Sequence, residues 1–187
     1  MSFFNFGKNF PMDFLDPKFS VIKAFIFDVD GVLSSASSPL DEFGDPVRTT
    51  NVRDGFAIRI AIKCGYPVAI ITGGFQERVK LRFRKLGVVH FYENSGNKVD
   101  CLNDFMVQTG IKAEEILFMG DDLVDYQSMR MVGMPVCPAD AVREIKGISL
   151  YVSGVNGGDG CARDVIELTL RHQHKWDSEA LLYSQIF

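Results

Sequence analysis

Three short, almost wholly apolar runs limit how this chain can fold: residues 22–27 (IKAFIF), 67–71 (PVAII) and 116–119 (ILFM). A strand with one face in water alternates apolar and polar residues. These runs do not, so each is expected at the centre of a parallel sheet covered on both faces. Weaker strand candidates lie at residues 88–92, 134–137 and 150–153. Helix-length stretches separate them. Asp54 is a candidate N-cap for a helix ending near Gly65, with Phe56, Ile60 and Cys64 on one face. The IRIAI segment inside it alternates like a strand, but its length and cap favour helix. Val79, Phe83 and Leu86 repeat at helical spacing until Gly87. The intervening Arg78, Lys80, Arg82, Arg84 and Lys85 read as the solvated face of that helix. A third helix carries Val99, Leu102 and Phe105, and a fourth spans about 164–171. Strands alternating with helices predict an α/β fold, a doubly wound (Rossmann-like) parallel sheet flanked by helices.

One segment breaks the alternation. Residues 34–50 (SSASSPLDEFGDPVRTT) are too polar for a core strand, and Gly44-Asp45-Pro46 marks a turn, so a projecting β-hairpin flap is expected. At 187 residues the chain is read as one domain. The folded body spans 21–172, between an extension at 1–20 and a tail at 173–187. The extension is rich in Phe but broken by Gly7, Pro11 and Pro17, and it lacks the basic start and continuous apolar stretch of a signal peptide. Its Phe residues are expected to pack on the body or on a neighbouring subunit. No apolar stretch is long enough to span a bilayer. The net charge of −4 offers no basic field for nucleic acid or an anionic membrane. An anionic ligand must therefore be captured locally. Cys64, Cys101, Cys137 and Cys161 form no CxxC pair, and His90, His172 and His174 are scattered. That disfavours zinc or a disulfide framework and favours reduced thiols in the cytoplasm.

In open α/β sheets ligands bind beyond the carboxyl ends of the strands. Asp28 and Asp30 follow the first strong run, Thr72 the second, and Asp121, Asp122 and Asp125 the third. So many carboxylates in one crevice repel one another unless a cation compensates, and an all-oxygen donor set points to Mg²⁺. A lone Asp after a strand is usually a turn former or cap. Asp122 keeps that reading, while Asp125 is either a metal ligand or a group that positions the metal.

The motifs DVDGVL, ITGG, Lys98 in SGNKVD, and GDDLVD together resemble, in order, the four motifs of the haloacid dehalogenase-like phosphatases. The resemblance implies that Asp28 attacks phosphorus to give an aspartyl-phosphate, while Asp30 acts as acid and then base. It implies that Thr72, Gly73 and Lys98 hold the phosphoryl group. Asp28, Asp30 through its carbonyl, Asp121 and Asp125 are the implied metal site. The chemistry suits these groups, because phosphoryl transfer needs in-line positioning and neutralised oxygens more than covalent invention. A lysine at a helix start opposes the helix dipole unless an anion compensates it.

Members of that family usually carry a cap domain. Here 44 residues separate Asp28 from Thr72 and 23 separate Lys98 from Asp121, too few for one. Segments 51–61 (NVRDGFAIRIA) and 157–167 (GGDGCARDVIE) are similar to those of the 3-deoxy-D-manno-octulosonate 8-phosphate phosphatases, capless tetramers of lipopolysaccharide sugar synthesis. That likeness implies a homotetramer acting on a phosphorylated sugar acid. It also implies that Arg53 and Arg163 meet the substrate's carboxylate or phosphate, Arg163 from its own or an adjacent subunit. The chain departs from the pattern in two places: Gly74 stands where arginine often follows ITG, and VLSSA replaces VLTDG. A phosphatase for a nine-carbon sugar-acid 9-phosphate, a non-catalytic sugar-phosphate-binding or tetramerisation module, and a receiver domain are the alternatives.

Overall fold

The computed structural model describes residues 17–176, so most of the Phe-rich extension and of the tail lies outside the described residues. Six strands form a single sheet: β1 (Ala24–Phe27), β2 (Val68–Ile71), β3 (His90–Tyr92), β4 (Ile116–Met119), β5 (Met134–Cys137) and β6 (Tyr151–Val152). Their spatial order is β3-β2-β1-β4-β5-β6 and every pairing is parallel. The three strongest apolar runs are the central β2, β1 and β4. Strands β3 and β6, which close the edges, are only half-buried and correspondingly less apolar.

Alternation along β1 sorts its side chains to two separate cores. Phe25 and Phe27 join Val68, Ile70, Leu117 and Met119 beneath α1 (Val52–Lys63), α2 (Glu77–Leu86) and α6 (Cys161–His172). Ala24 and Ile26 join Ala69, Ile71 and Phe118 beneath α3 (Lys98–Thr109), α4 (Tyr126–Met131) and α5 (Arg143–Ile148). Both faces are thus covered, as the unbroken apolar runs require. Each fully buried phenylalanine, such as Phe25 or Phe118, contributes roughly 1.5–3 kcal/mol by leaving water. Phe19 and Trp176, near the two ends of the described chain, belong to the first core.

The start of α1 differs from expectation. Asn51, not Asp54, is its N-cap, accepting the Arg53 N–H at 2.8 Å while its own Nδ2 donates to the Gly158 carbonyl at 3.0 Å. Asp54 lies in the first turn of the helix, is buried, and accepts the Arg163 N–H at 2.7 Å. It therefore caps α6, whose own N-cap is Gly160 and has no side chain to offer. Burial pushes Asp54 up to about 6, against the pull of the Arg163 N–H. The expected stripe of Phe56, Ile60 and Cys64 is only partly buried. Helix α1 is wedged between the sheet and α6, so its inner surface is Ala57, Ile58, Ile60 and Ala61, with Phe56 and Cys64 at its margins. Helix α2 buries Val79, Phe83 and Leu86 and stops at Gly87 in the left-handed conformation, as its pattern predicts.

Residues 34–50 form the projecting flap. One antiparallel rung joins Leu40 to Pro46, Val47 N–H donates to the Pro39 carbonyl at 2.8 Å, and Gly44 turns the tip at φ +84°. Asp41 Oδ1 accepts the N–H groups of Phe43 and Asp45 and fixes that turn. At the base, Ser34 Oγ accepts the Thr49 N–H at 3.1 Å and closes the loop on itself. No cap domain interrupts α3 to β4 or β1 to β2.

Candidate active site

In this strand order the chain turns opposite ways on leaving β1 and β4, so a crevice opens beyond their carboxyl ends. Asp28 extends β1 by donating its N–H to the Met119 carbonyl at 3.1 Å, and Asp121 follows β4 by two residues. The crevice has a volume of about 300 Å³, and its lining includes Asp28, Asp30, Gly73, Lys98, Asp121 and Asp122. Thr72 borders it, buried at the end of β2, with Oγ1 accepting the Gly74 N–H at 3.2 Å.

Lys98 holds this assembly together. It is the first residue of α3, which Asn97 caps by accepting the Val99 N–H at 3.0 Å. Its Nζ lies 2.9 Å from Asp28 Oδ1 and 2.6 Å from Asp125 Oδ1, and all three groups are buried. The unfavourable helix-start position is thereby compensated by two carboxylates. Burial alone would lower the lysine, but Asp28 and Asp125 outweigh it and hold the ammonium above its ordinary range. Asp28 Oδ1 also accepts the Val29 N–H at 2.7 Å, which pins the carboxylate by one oxygen. Asp125 Oδ2 accepts the Asp121 N–H at 3.2 Å, so both Asp125 oxygens are engaged by protein donors. Asp122 caps the short 3₁₀ turn Leu123–Asp125 through the Leu123 N–H.

The site is short of positive charge. Burial, then Asp125, raises Asp28 to about 8 despite Lys98. Burial, then Asp125 and Asp122, raises Asp121 to about 7. Asp28, Asp121 and Asp125 each place an oxygen within 4.8 Å of the others, yet Lys98 pairs only with Asp28 and Asp125. Three carboxylates when ionised, beside one ammonium, leave two negative charges, the charge of one divalent cation. The donors are hard oxygens, a set suited to Mg²⁺.

Glycines let the elements close in. Gly31 has φ +79°, and a Cβ there would lie 1.9 Å from Asp121 Oδ2, so the loop after β1 can approach Asp121 only with glycine at that position. A Cβ on Gly157 would lie 1.9 Å from the Gly31 carbonyl oxygen. The glycine-rich 157–160 turn therefore abuts the first motif itself.

A haloacid dehalogenase-like hydrolase family model matches residues 58–164. The 3-deoxy-D-manno-octulosonate 8-phosphate phosphatase KdsC of Salmonella typhi is 38% identical over 156 residues, covering 83% of each chain. The chain belongs to the haloacid dehalogenase-like hydrolases. Within that family it is a phosphatase. The Yersinia pestis KdsC is 34% identical over 154 residues, 82% of each chain. Among solved structures, the 3-deoxy-D-manno-octulosonate 8-phosphate phosphatase of Moraxella catarrhalis, in complex with magnesium, phosphate and KDO, superimposes with a TM-score of 0.86. It is 28% identical, and the match covers 93% of this chain and all of that one. The cobalt-bound Haemophilus influenzae enzyme gives a TM-score of 0.84 at 29% identity, over 89% of this chain and 99% of that one.

Not every candidate residue of this phosphatase reaches the crevice. Arg53 and Arg163 line a separate groove of about 630 Å³ between the starts of α1 and α6, which shares no lining residue with the crevice. Arg163 pairs there with Glu167 at 3.1 Å and lies over the rings of Phe56 and Trp176 at 5.8 and 5.5 Å. One residue that grips the crevice wall carries no sequence motif. Arg48, at the foot of the flap, donates Nε to Asp30 Oδ1 at 2.7 Å and Nη2 to Asp30 Oδ2 at 2.8 Å. The available signal was that Arg48 is the flap's one cation, among Asp41, Glu42 and Asp45.

Proposed function

We propose that this phosphatase is Mg²⁺-dependent and hydrolyses the 8-phosphate of 3-deoxy-D-manno-octulosonate through a phosphorylated Asp28. The observation carrying the chemistry is the trio Asp28, Asp121 and Asp125 at the switch point between β1 and β4, with Lys98 paired to Asp28 and Asp125 alone. The substrate is supported by the KdsC relatives and by the Moraxella structure with its KDO ligand.

Asp28, with Oδ1 pinned by Lys98 and the Val29 N–H, keeps Oδ2 for attack on phosphorus. Thr72 and Lys98 bind the equatorial oxygens, with Gly73 allowing close approach beside them. As the ester P–O bond breaks, the Asp30 proton passes to the leaving alcohol. Asp30 then takes a proton from the water that attacks the phosphorylated Asp28, releasing phosphate and restoring both carboxyls. Asp28, Asp121 and the Asp30 carbonyl would hold Mg²⁺, which would supply the charge neutralisation that lets a carboxylate approach a phosphate dianion. Asp125 aligns Lys98 and the Asp121 backbone.

An uncapped crevice needs a cover. The flap tip offers Phe43, 81% exposed, and Leu40, 66% exposed, with nothing of the described chain over them. In a cytoplasmic homotetramer these residues meet a neighbouring chain. Arg53 and Arg163 then present their guanidinium groups to the carboxylate of a sugar acid seated in an adjacent crevice. The test is phosphate release with Mg²⁺ across eight- and nine-carbon sugar-acid phosphates, with light scattering of the same sample. The expected result is preference for the eight-carbon 8-phosphate by a particle of four chains. Preference for a nine-carbon 9-phosphate would replace the substrate, and a fully active monomer would remove the shared site.

A further inference from the structure

The flap is joined to the reacting groups through one side chain. Asp30 projects from the loop after β1 with 43% of its side chain exposed, whereas the Arg48 side chain that grips it is only 10% exposed. The grip is a two-point fork, one nitrogen on each carboxylate oxygen at 2.7 and 2.8 Å. Such a pair fixes both the direction and the tilt of a carboxyl group, which a single bond or a point charge does not. It uses one lone pair on each oxygen and leaves the other for a proton in transit.

The space for this guanidinium comes from Gly74. A Cβ at that position would lie 2.2 Å from Arg48 Nη2 and 2.8 Å from its Cζ. Gly74 is absent from the glycines with positive φ, so its backbone does not itself demand glycine. The void left between Arg48, Thr72, Gly74 and Gln76 is only about 10 Å³, so the guanidinium is closely fitted there.

We infer that Arg48 is a positioning residue for the Asp30 carboxyl, holding it in line for proton transfer to the leaving alcohol, and that Gly74 serves to seat the Arg48 guanidinium. This inference rests on the acid/base role given to Asp30 above. It also makes the flap part of the catalytic geometry as well as a cover, because Arg48 leaves its foot.

The experiment compares Arg48→Ala, Arg48→Lys, Gly74→Ala and the Arg48→Ala/Gly74→Ala double variant. The substrates are an alkyl phosphate (a sugar-acid phosphate) and p-nitrophenyl phosphate, whose phenolate departs without a proton. The readout is kcat/KM, which reports events up to departure of the first leaving group. A misplaced acid costs on the order of 10²-fold, so Arg48→Ala should lose about 10–10²-fold on the alkyl ester and less than about threefold on the aryl ester. Arg48→Lys keeps the charge without the fork and should recover only part of that loss. Gly74→Ala should reproduce Arg48→Ala, and the double variant should be no worse than either single change, because both remove one contact. Equal losses on both esters, or additive effects of the two changes, would overturn the inference while leaving the phosphatase reading intact. Wild-type protein inactive on both esters would overturn both.

Discussion

The crevice beyond β1 and β4 and the groove between α1 and α6 both gather charged side chains, yet they solve opposite problems. The groove is the larger, about 630 Å³ against about 300 Å³, and holds more cations. Its cations on α6 are already paired. Arg163 and Arg171 both pair with Glu167 one helical turn away on α6, and all three side chains are partly in water. Pairs of that kind are screened and contribute little. In the crevice Asp28, Lys98 and Asp125 are buried and unbalanced, with Lys98 shared by Asp28 and Asp125 and no ion pair for Asp121 among the described residues. Size and count of charges therefore mislead, and uncompensated buried charge is the better guide to chemistry.

The hardest test of this contrast is Asp28→Asn. It removes the nucleophile while relieving repulsion, so turnover should fall by at least about 10³-fold with no loss of thermal stability. A variant retaining a tenth of wild-type phosphate release would transfer the nucleophile's role elsewhere. Lys98→Met comes next. It leaves two buried carboxylates facing each other and should cost about 3–5 kcal/mol in urea unfolding, besides abolishing most activity. Arg171→Ala in the groove should cost less than about 1 kcal/mol by the same measurement. Comparable losses would erase the distinction between the two regions.

The pH response sharpens it further. Asp28 and Asp121 stand at about 8 and about 7 in the folded metal-free protein, above the ordinary carboxylate value of 3.8. Raised carboxyls are stabilising while protonated, so that contribution is present below about pH 4 and is lost as pH climbs through 7 to 8. Mg²⁺ takes the place of those protons, so its stabilisation should grow over the same window. Melting with and without Mg²⁺ should show a larger shift at pH 8 than at pH 6, and a pH-independent shift would contradict the charge deficit. The smallest effect belongs to the groove. Arg53→Ala and Arg163→Ala should raise KM for the sugar-acid phosphate about tenfold with kcat nearly unchanged, the mark of an interaction equal in ground and transition states. An unchanged KM would reduce these arginines to helix packing.

Much of this protein was readable from local pattern. The central strands announced themselves because a strand buried on both faces must be apolar throughout, and Gly87 ended α2 because only a left-handed residue closes that helix cheaply. Asp28, Thr72 and Asp121 could be placed at one crevice because each follows a strand end, and parallel strands present all such ends on the same side, whereas Lys98 entered only through the resemblance of its motif. Local pattern assigned Asp54 to the start of α1, yet Asn51 caps that helix and Asp54 caps α6, 109 residues away, which only the fold brings near. It also could not reveal that Arg48 reaches Asp30 across 18 residues, or that Gly74 makes room for it. Periodicity and capping act within a few residues, so a sequence displays them directly. Pairings such as Arg48 with Asp30 exist only where the folded flap returns to the sheet, and tertiary structure alone decides them.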